Sequence, residues 1–162
     1  MLVESPSGDQ FAIHDPHLIS ILNRNLREGE KLTLLESERA MADSHPISLF
    51  SIQTARQLGK ELNRAIDMRR FRANIFVDLG EQPGFTENEF VGHKLQIGST
   101  AVLEVIERDK RCKIITLDPE TADADPELMR QVVREHDGTA GVYAAVLVEG
   151  MVRRGDELTL PI

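Results

Sequence analysis

The chain of 162 residues contains one cysteine, Cys112. A single cysteine excludes an intrachain disulfide framework and any multi-cysteine zinc site. A free thiol suits a reducing compartment, so a cytoplasmic location is expected. Long apolar runs are missing too: none approaches the ~20 residues of a membrane span, so no membrane partner is expected. The opening segment MLVESPSGDQF has no basic region followed by an apolar stretch, and no signal peptide is expected. Basic charge is scarce, with 19 Lys and Arg against 27 Asp and Glu, a net charge of −8. Phosphate backbones should repel such a chain, which argues against a nucleic-acid partner. The five histidines show no pair at metal-ligand spacing. There is no Gly-x-Ser-x-Gly elbow, P-loop or dinucleotide fingerprint.

What is present is ordinary for a globular chain: 41% hydrophobic and 28% charged residues. The length suits one domain, 1–162, able to bury a core without staples. Short β-like runs dominate: Phe11–Ile13, Lys31–Leu35, Ile47–Ser51, Ala73–Leu79, Lys94–Ile97, Ala101–Ile106, Cys112–Leu117, Val142–Val148 and Glu157–Leu160. Three helices interrupt them. The first starts at Asp15-Pro16 and repeats Leu18, Ile21, Leu22 and Leu26. The second carries Ile52, Ala55, Leu58, Leu62 and Ile66 on one face. The third starts at Asp125-Pro126, buries Leu128, Met129, Val132 and Val133, and stops near Asp137-Gly138. Residues 80–92 read as the clearest loop. Helices that do not alternate with strands argue for a mainly β, barrel-like domain with about three peripheral helices.

Cys112 sits in Glu107–Lys113, where four of seven residues are basic. Cations lower a thiol pKa, and the thiolate is the nucleophile and metal ligand. The alternative is a buried structural cysteine. If the segment is extended, Arg111 and Lys113 point away, and Lys110, Ile114 and Thr116 share the face of Cys112. In Arg70-Phe71-Arg72-Ala73-Asn74, alternation puts Arg70, Arg72 and Asn74 on one side, a donor-rich anion site. The alternative there is a solvated edge with ion pairs. Asp43-Ser44-His45-Pro46 offers a hydroxyl and a carboxylate, or a plain turn before a strand. His17 and His136 are expected at the surface.

These segments align in order with one family. RFRAN-IFVD (70–78) resembles the Arg-Phe-Arg-Pro-Asn strand of MOSC domains, named for the C-terminal domain of molybdenum cofactor sulfurase. RCKIITLDPET (111–121) resembles their Arg-Cys-x-x-Thr-x-x-Asp-Pro-x-Thr signature, and GVYAAVLVEGMVRRGDELTL (141–160) their closing hairpin. HPISLFS (45–51) and FTENEFVGHKLQIGSTAVLEV (85–105) agree as well. The resemblance implies a β-barrel-like fold. It also implies a cysteine, here Cys112, that carries sulfur as a persulfide or ligates molybdenum. Arg72 and Asn74 match donors to the phosphate of molybdopterin, the molybdenum cofactor. Asp43 and Ser44 match the pair before the Pro-x-x-Leu strand, and Arg70, Arg111 and Thr116 complete the candidate set. Ala73 and Ala122 stand where the family usually has proline and glycine, and Lys110 where some cofactor-binding relatives have serine.

Three functions follow as expectations. One is a cofactor-binding oxidoreductase module or carrier. The second is a sulfurtransferase-type persulfide carrier without bound metal. The third is a non-catalytic interaction module with a buried, inert Cys112. The matching partners are a cysteine desulfurase, an electron-transfer protein, or a small-molecule substrate.

Overall fold

The computed structural model describes residues 2–5, 7–24, 26–36 and 44–160. The chain divides into two compact units, residues 1–40 and 41–162. In the first unit, β1 (Leu2–Glu4) and β2 (Gln10–Ala12) form an antiparallel hairpin. Gly8 turns it at φ +88°, a conformation that suits glycine. Helix α1 (Pro16–Asn23) follows, capped by Asp15, which accepts from the His17 amide at 2.8 Å. Leu26 lies past its end. The strand expected over Lys31–Leu35 does not form. A short apolar run makes a strand only with a ladder partner. Here Leu32 instead donates to the Asn23 side chain at 2.7 Å, and Leu35 is exposed.

The second unit holds one mixed sheet. Its strands are β3 (Ile47–Ser51), β4 (Ile75–Val77), β5 (Lys94–Ile97), β6 (Ala101–Lys110), β7 (Thr139–Val148) and β8 (Leu158–Thr159). Their order is β4-β3-β7-β6-β5-β8. β3 and β4 run parallel and the other pairs antiparallel. The sheet curls into a barrel-like form, as expected. Alternation along β3 feeds two cores. Leu49 joins Val77, Leu95, Ile97, Val105 and Val142 in the inner one. Phe50 joins Phe71, Ile115, Leu128 and Val132 on the opposite face. Helices α2 (Ile52–Glu61) and α3 (Pro126–Glu135) cover that second face.

Several expected boundaries move. α2 stops at Glu61, so Leu62 and Ile66 lie beyond it. Val133 is 55% exposed because α3 buries only a narrow stripe. Asp125 makes no capping bond to α3; its carboxylate pairs with Arg64 at 2.5 Å. His136 is not a plain surface residue: it stacks on Phe85 and reaches Glu61 at 2.9 Å. Burial would raise the Glu61 pKa, but hydrogen bonds from His136, Gln131 and Gln57 outweigh it and hold the carboxyl below its usual range.

The expected loop 80–92 contains a 3-10 turn, Thr86–Phe90, that carries a fully buried Glu87. Its carboxylate accepts from the Ser51 amide at 3.2 Å, Ser51 Oγ at 2.7 Å and Thr54 Oγ1 at 2.7 Å. Ser51 is the N-cap of α2, so a negative group sits where the helix presents unpaired amides. Glu87→Ala would leave buried donors without an acceptor. Chemical denaturation should show a loss of about 1–3 kcal/mol; an unchanged midpoint would show that water replaces the carboxylate.

Candidate functional site

The strand expected over Cys112–Leu117 is instead a 3-10 turn, Lys113–Thr116, preceded by Cys112 in an extended conformation. Strand alternation therefore does not decide which way the neighbours of Cys112 point. The turn is anchored by Ile115, which is fully buried in the second core. Cys112 itself is exposed. A reading in which this thiol is inert through burial does not hold.

Arg111 turns inward beside it. Its Nε donates to Ala140 O at 2.6 Å and its Nη1 to Phe71 O at 2.9 Å. Nη2 lies 2.7 Å from Asp109 Oδ2, and both side chains are almost fully buried. The guanidinium stacks over the Phe71 ring at 5.3 Å and reaches toward Phe50 at 6.0 Å. Burial pushes the Arg111 pKa down, and the charge of Asp109, with those of Tyr143 and Cys112, opposes this. Gly141, at φ +85°, makes the space. A Cβ there would stand 2.6 Å from Leu49 O and 3.0 Å from Arg111 Nη2.

The Arg70–Asn74 segment does not alternate either. Met68–Phe71 is a 3-10 turn, and Arg72 ends it in the left-handed region at φ +52°. Arg70 folds back, donating to Thr116 O at 3.0 Å and to Asp118 Oδ2 at 2.8 Å. Hydrogen bonds from the amides of Glu120 and Thr121 hold the Asp118 carboxyl below its usual range. Arg72 is exposed, with no ion pair among the described residues. Asn74 is pinned to β3. Its Oδ1 accepts from the Ser48 amide at 2.8 Å and from Ser48 Oγ at 3.1 Å. That leaves its Nδ2 donor without a partner among the described residues.

A second cluster borders this face. Ser44 Oγ donates to Glu107 Oε1 at 3.2 Å, and His45 Nε2 lies 3.3 Å from the same oxygen. The His45 ring is tilted against Tyr143 at 5.8 Å. Register explains the grouping. Ser48 on β3 pairs with Tyr143 on β7, which pairs with Glu107 on β6. A bulge between Val105 and Glu107 brings Glu107, rather than Ile106, opposite Tyr143. Asp43 lies outside the described residues.

The candidate residues thus fall into two kinds. Cys112, Arg72, Asn74 and Ser44 are exposed. Arg70, Arg111 and Thr116 are engaged inside the protein; Thr116 Oγ1 donates to Lys113 O at 2.8 Å. The Phe71–Arg111 bond ties the two segments, so Arg72 and Cys112 each stand one residue from it. Sequence reasoning missed Ser48, Tyr143 and Glu107. Tyr143 could have been flagged as the chain's one tyrosine. Among the described residues no group of three His, Cys, Asp or Glu could hold a bare metal ion.

The family model for the MOSC domain matches residues 36–159. The chain belongs to the MOSC domain family. It is a family linked to molybdenum cofactor binding and sulfur chemistry. The MOSC fold is seen also in the crystal structure of YiiM from Geobacillus stearothermophilus, which superposes with a TM-score of 0.56 at 18% identity. The match covers 73% of this chain and 55% of that one, so the chain spans about half the length of that protein. At that identity the likeness speaks for the fold. No curated protein matches the chain. No helix of the described residues is long and apolar enough to cross a membrane.

Ala122, in the position where MOSC domains usually carry glycine, sits at φ +61°. A Cβ is unfavourable there, so Ala122→Gly should stabilise the protein by about 1 kcal/mol, read as a raised Tm. Arg111→Met should cost about 3–5 kcal/mol, because it removes the buried cation paired with Asp109 and the bonds to Ala140 O and Phe71 O. Urea titration measures this, and Arg111→Met/Asp109→Leu should recover much of the loss.

Proposed function

We propose that this MOSC domain binds the molybdenum cofactor, with Cys112 as the protein's ligand to molybdenum. The observation that carries this reading is the exposure of the sole thiol next to Arg111, whose bond to Phe71 O ties the Cys112 segment to the one that carries Arg72. With no three-ligand cage among the described residues, metal held here must arrive with most of its own ligands. A pterin dithiolene does that and needs only one soft ligand from the protein, which a thiolate provides. When bound, the cofactor supplies a redox-active metal for two-electron chemistry.

The chain's own residues would act as follows. Arg72 gives a permanent cation to the cofactor's phosphate, and Asn74 Nδ2 adds a neutral donor beside it. Ser48 holds the Asn74 carboxamide in one orientation through Oδ1. Arg111, Arg70 and Thr116 act as positioning residues, since their bonds fix the backbone on either side of Cys112 and Arg72. Ser44, held by Glu107, would add a hydroxyl to the site. His45 places its Nε2 3.3 Å from the same Glu107 oxygen.

Expression in a cofactor-producing host should give close to one molybdenum per chain. Cys112→Ser should lose it, and Arg72→Ala should weaken retention by about tenfold, the loss of one charge-assisted contact. Full occupancy in Cys112→Ser would overturn the ligand assignment. The same exposed thiol supports a second reading, a persulfide carrier. That reading predicts a single added sulfur on Cys112 after incubation with a cysteine desulfurase and cysteine, and no molybdenum.

A further inference from the structure

Helix α2 buries Thr54, Ala55 and Leu58 and turns Arg56 and Lys60 outward. Residues four apart share a helix face, so the two cations are neighbours. The chain then folds back, and Arg64 arrives on the same side. Gly59 permits this close return, because a Cβ there would stand 2.8 Å from Arg64 O. Between the helix and the returning segment lies a groove of about 730 Å³. Ile52, Ala55, Ile66 and Met68 give it an apolar floor, and Arg56, Lys60 and Arg64 form its rim.

Two features distinguish this groove from a solvated helix face. One is size: small-molecule sites run to about 300–1,000 Å³. The other is charge. The chain carries −8 overall, yet this rim is positive. Arg64 has a partner in Asp125 and the charge of Arg56 is felt at Asp78, while Arg56 and Lys60 form no ion pair among the described residues. A local cationic rim on an acidic protein selects anions, because the rest of the surface repels them. An apolar floor below that rim selects an anion with an apolar body.

We propose that this groove binds a small amphiphilic monoanion, a carboxylate with an alkyl body of medium length. Arg56 and Lys60 receive the carboxylate, and Ile52, Ile66 and Met68 cover the alkyl chain. The groove shares Ile52 and Met68 with a second cleft of about 960 Å³, which opens between the edge strands β4 and β8 and reaches Asn74. The bound carboxylate therefore lies on a surface continuous with the candidate site. Cys112 does not line the groove.

The test is a titration of the full, nitrogen-15-labelled chain with decanoate, followed by amide chemical shifts. Saturable shifts at Gly59, Ala65 and Met68 are expected. Decanol and decyltrimethylammonium should bind at least about tenfold more weakly, as should decanoate to Arg56→Glu/Lys60→Glu, since each removes a charge-assisted contact. Ala65→Trp places a large ring at an exposed position of the groove and should abolish the shifts. The preserved dispersion of the remaining spectrum shows that each variant is folded. Absence of saturable shifts, shifts confined to other regions, or equal binding of decanol would each overturn the proposal. Undiminished decanoate binding in both groove variants would do the same.

Discussion

The buried guanidinium of Arg111 is the interaction on which the candidate site depends. It joins four parts of the fold: the end of β6 through Asp109, β7 through Ala140 O, the turn before β4 through Phe71 O, and the aromatic pair Phe50 and Phe71 beneath it. Taking both charges out of water is costly, and the Coulomb gain repays that only with good geometry. Here two donor positions make hydrogen bonds, the third nitrogen is ion-paired with Asp109 and one ring is stacked, so the cost is offset by directed contacts. Gly141 is the concession the backbone makes to this arrangement, since any side chain would enter the guanidinium's place. Cys112 is held exposed because its neighbour is held buried.

Around that clamp the sheet separates what is packed from what is presented. β3 sends Leu49 to the inner core and Phe50 to the outer one. The same alternation leaves Ser48 in position to hold Asn74. The bulge in β6 rotates Glu107 to Tyr143 and gives Ser44 and His45 a common acceptor. Glu87 does for the start of α2 what Arg111 does for the site. It fills a buried polar position with three bonds and fixes a helix that covers the outer core.

Membership of the MOSC family fixes the chemical neighbourhood of this protein, and the geometry narrows it. Seven of the candidate residues are described, and they divide by use. Cys112, Arg72, Asn74 and Ser44 present exposed polar groups. Those without such groups serve as the frame. The groove along α2 adds a surface of different character, apolar below and cationic above, on a chain whose charge is otherwise acidic.

Composition and pattern made a good part of this legible. The mainly β class, the starts of α1 and α3, and the strands Ile47–Ser51 and Lys94–Ile97 could be read directly, because each follows from a local cap, a proline in the first helical turn or alternation. The ordered motifs also pointed to the family that the chain belongs to. Strand periodicity does not orient the site residues. Met68–Phe71 and Lys113–Thr116 are 3-10 turns, held by Arg70 to Thr116 O and by Arg111 to Phe71 O, bonds between residues 40 or more apart. Lys31–Leu35 was apolar enough for a strand and found no ladder partner. The sequence alone determined which residues can do the chemistry, since thiol, guanidinium and amide are properties of single side chains. The tertiary structure decided which of them are free to do it, since exposure of Cys112 and Arg72 and engagement of Arg70 and Arg111 depend on long-range hydrogen bonds that no local pattern encodes.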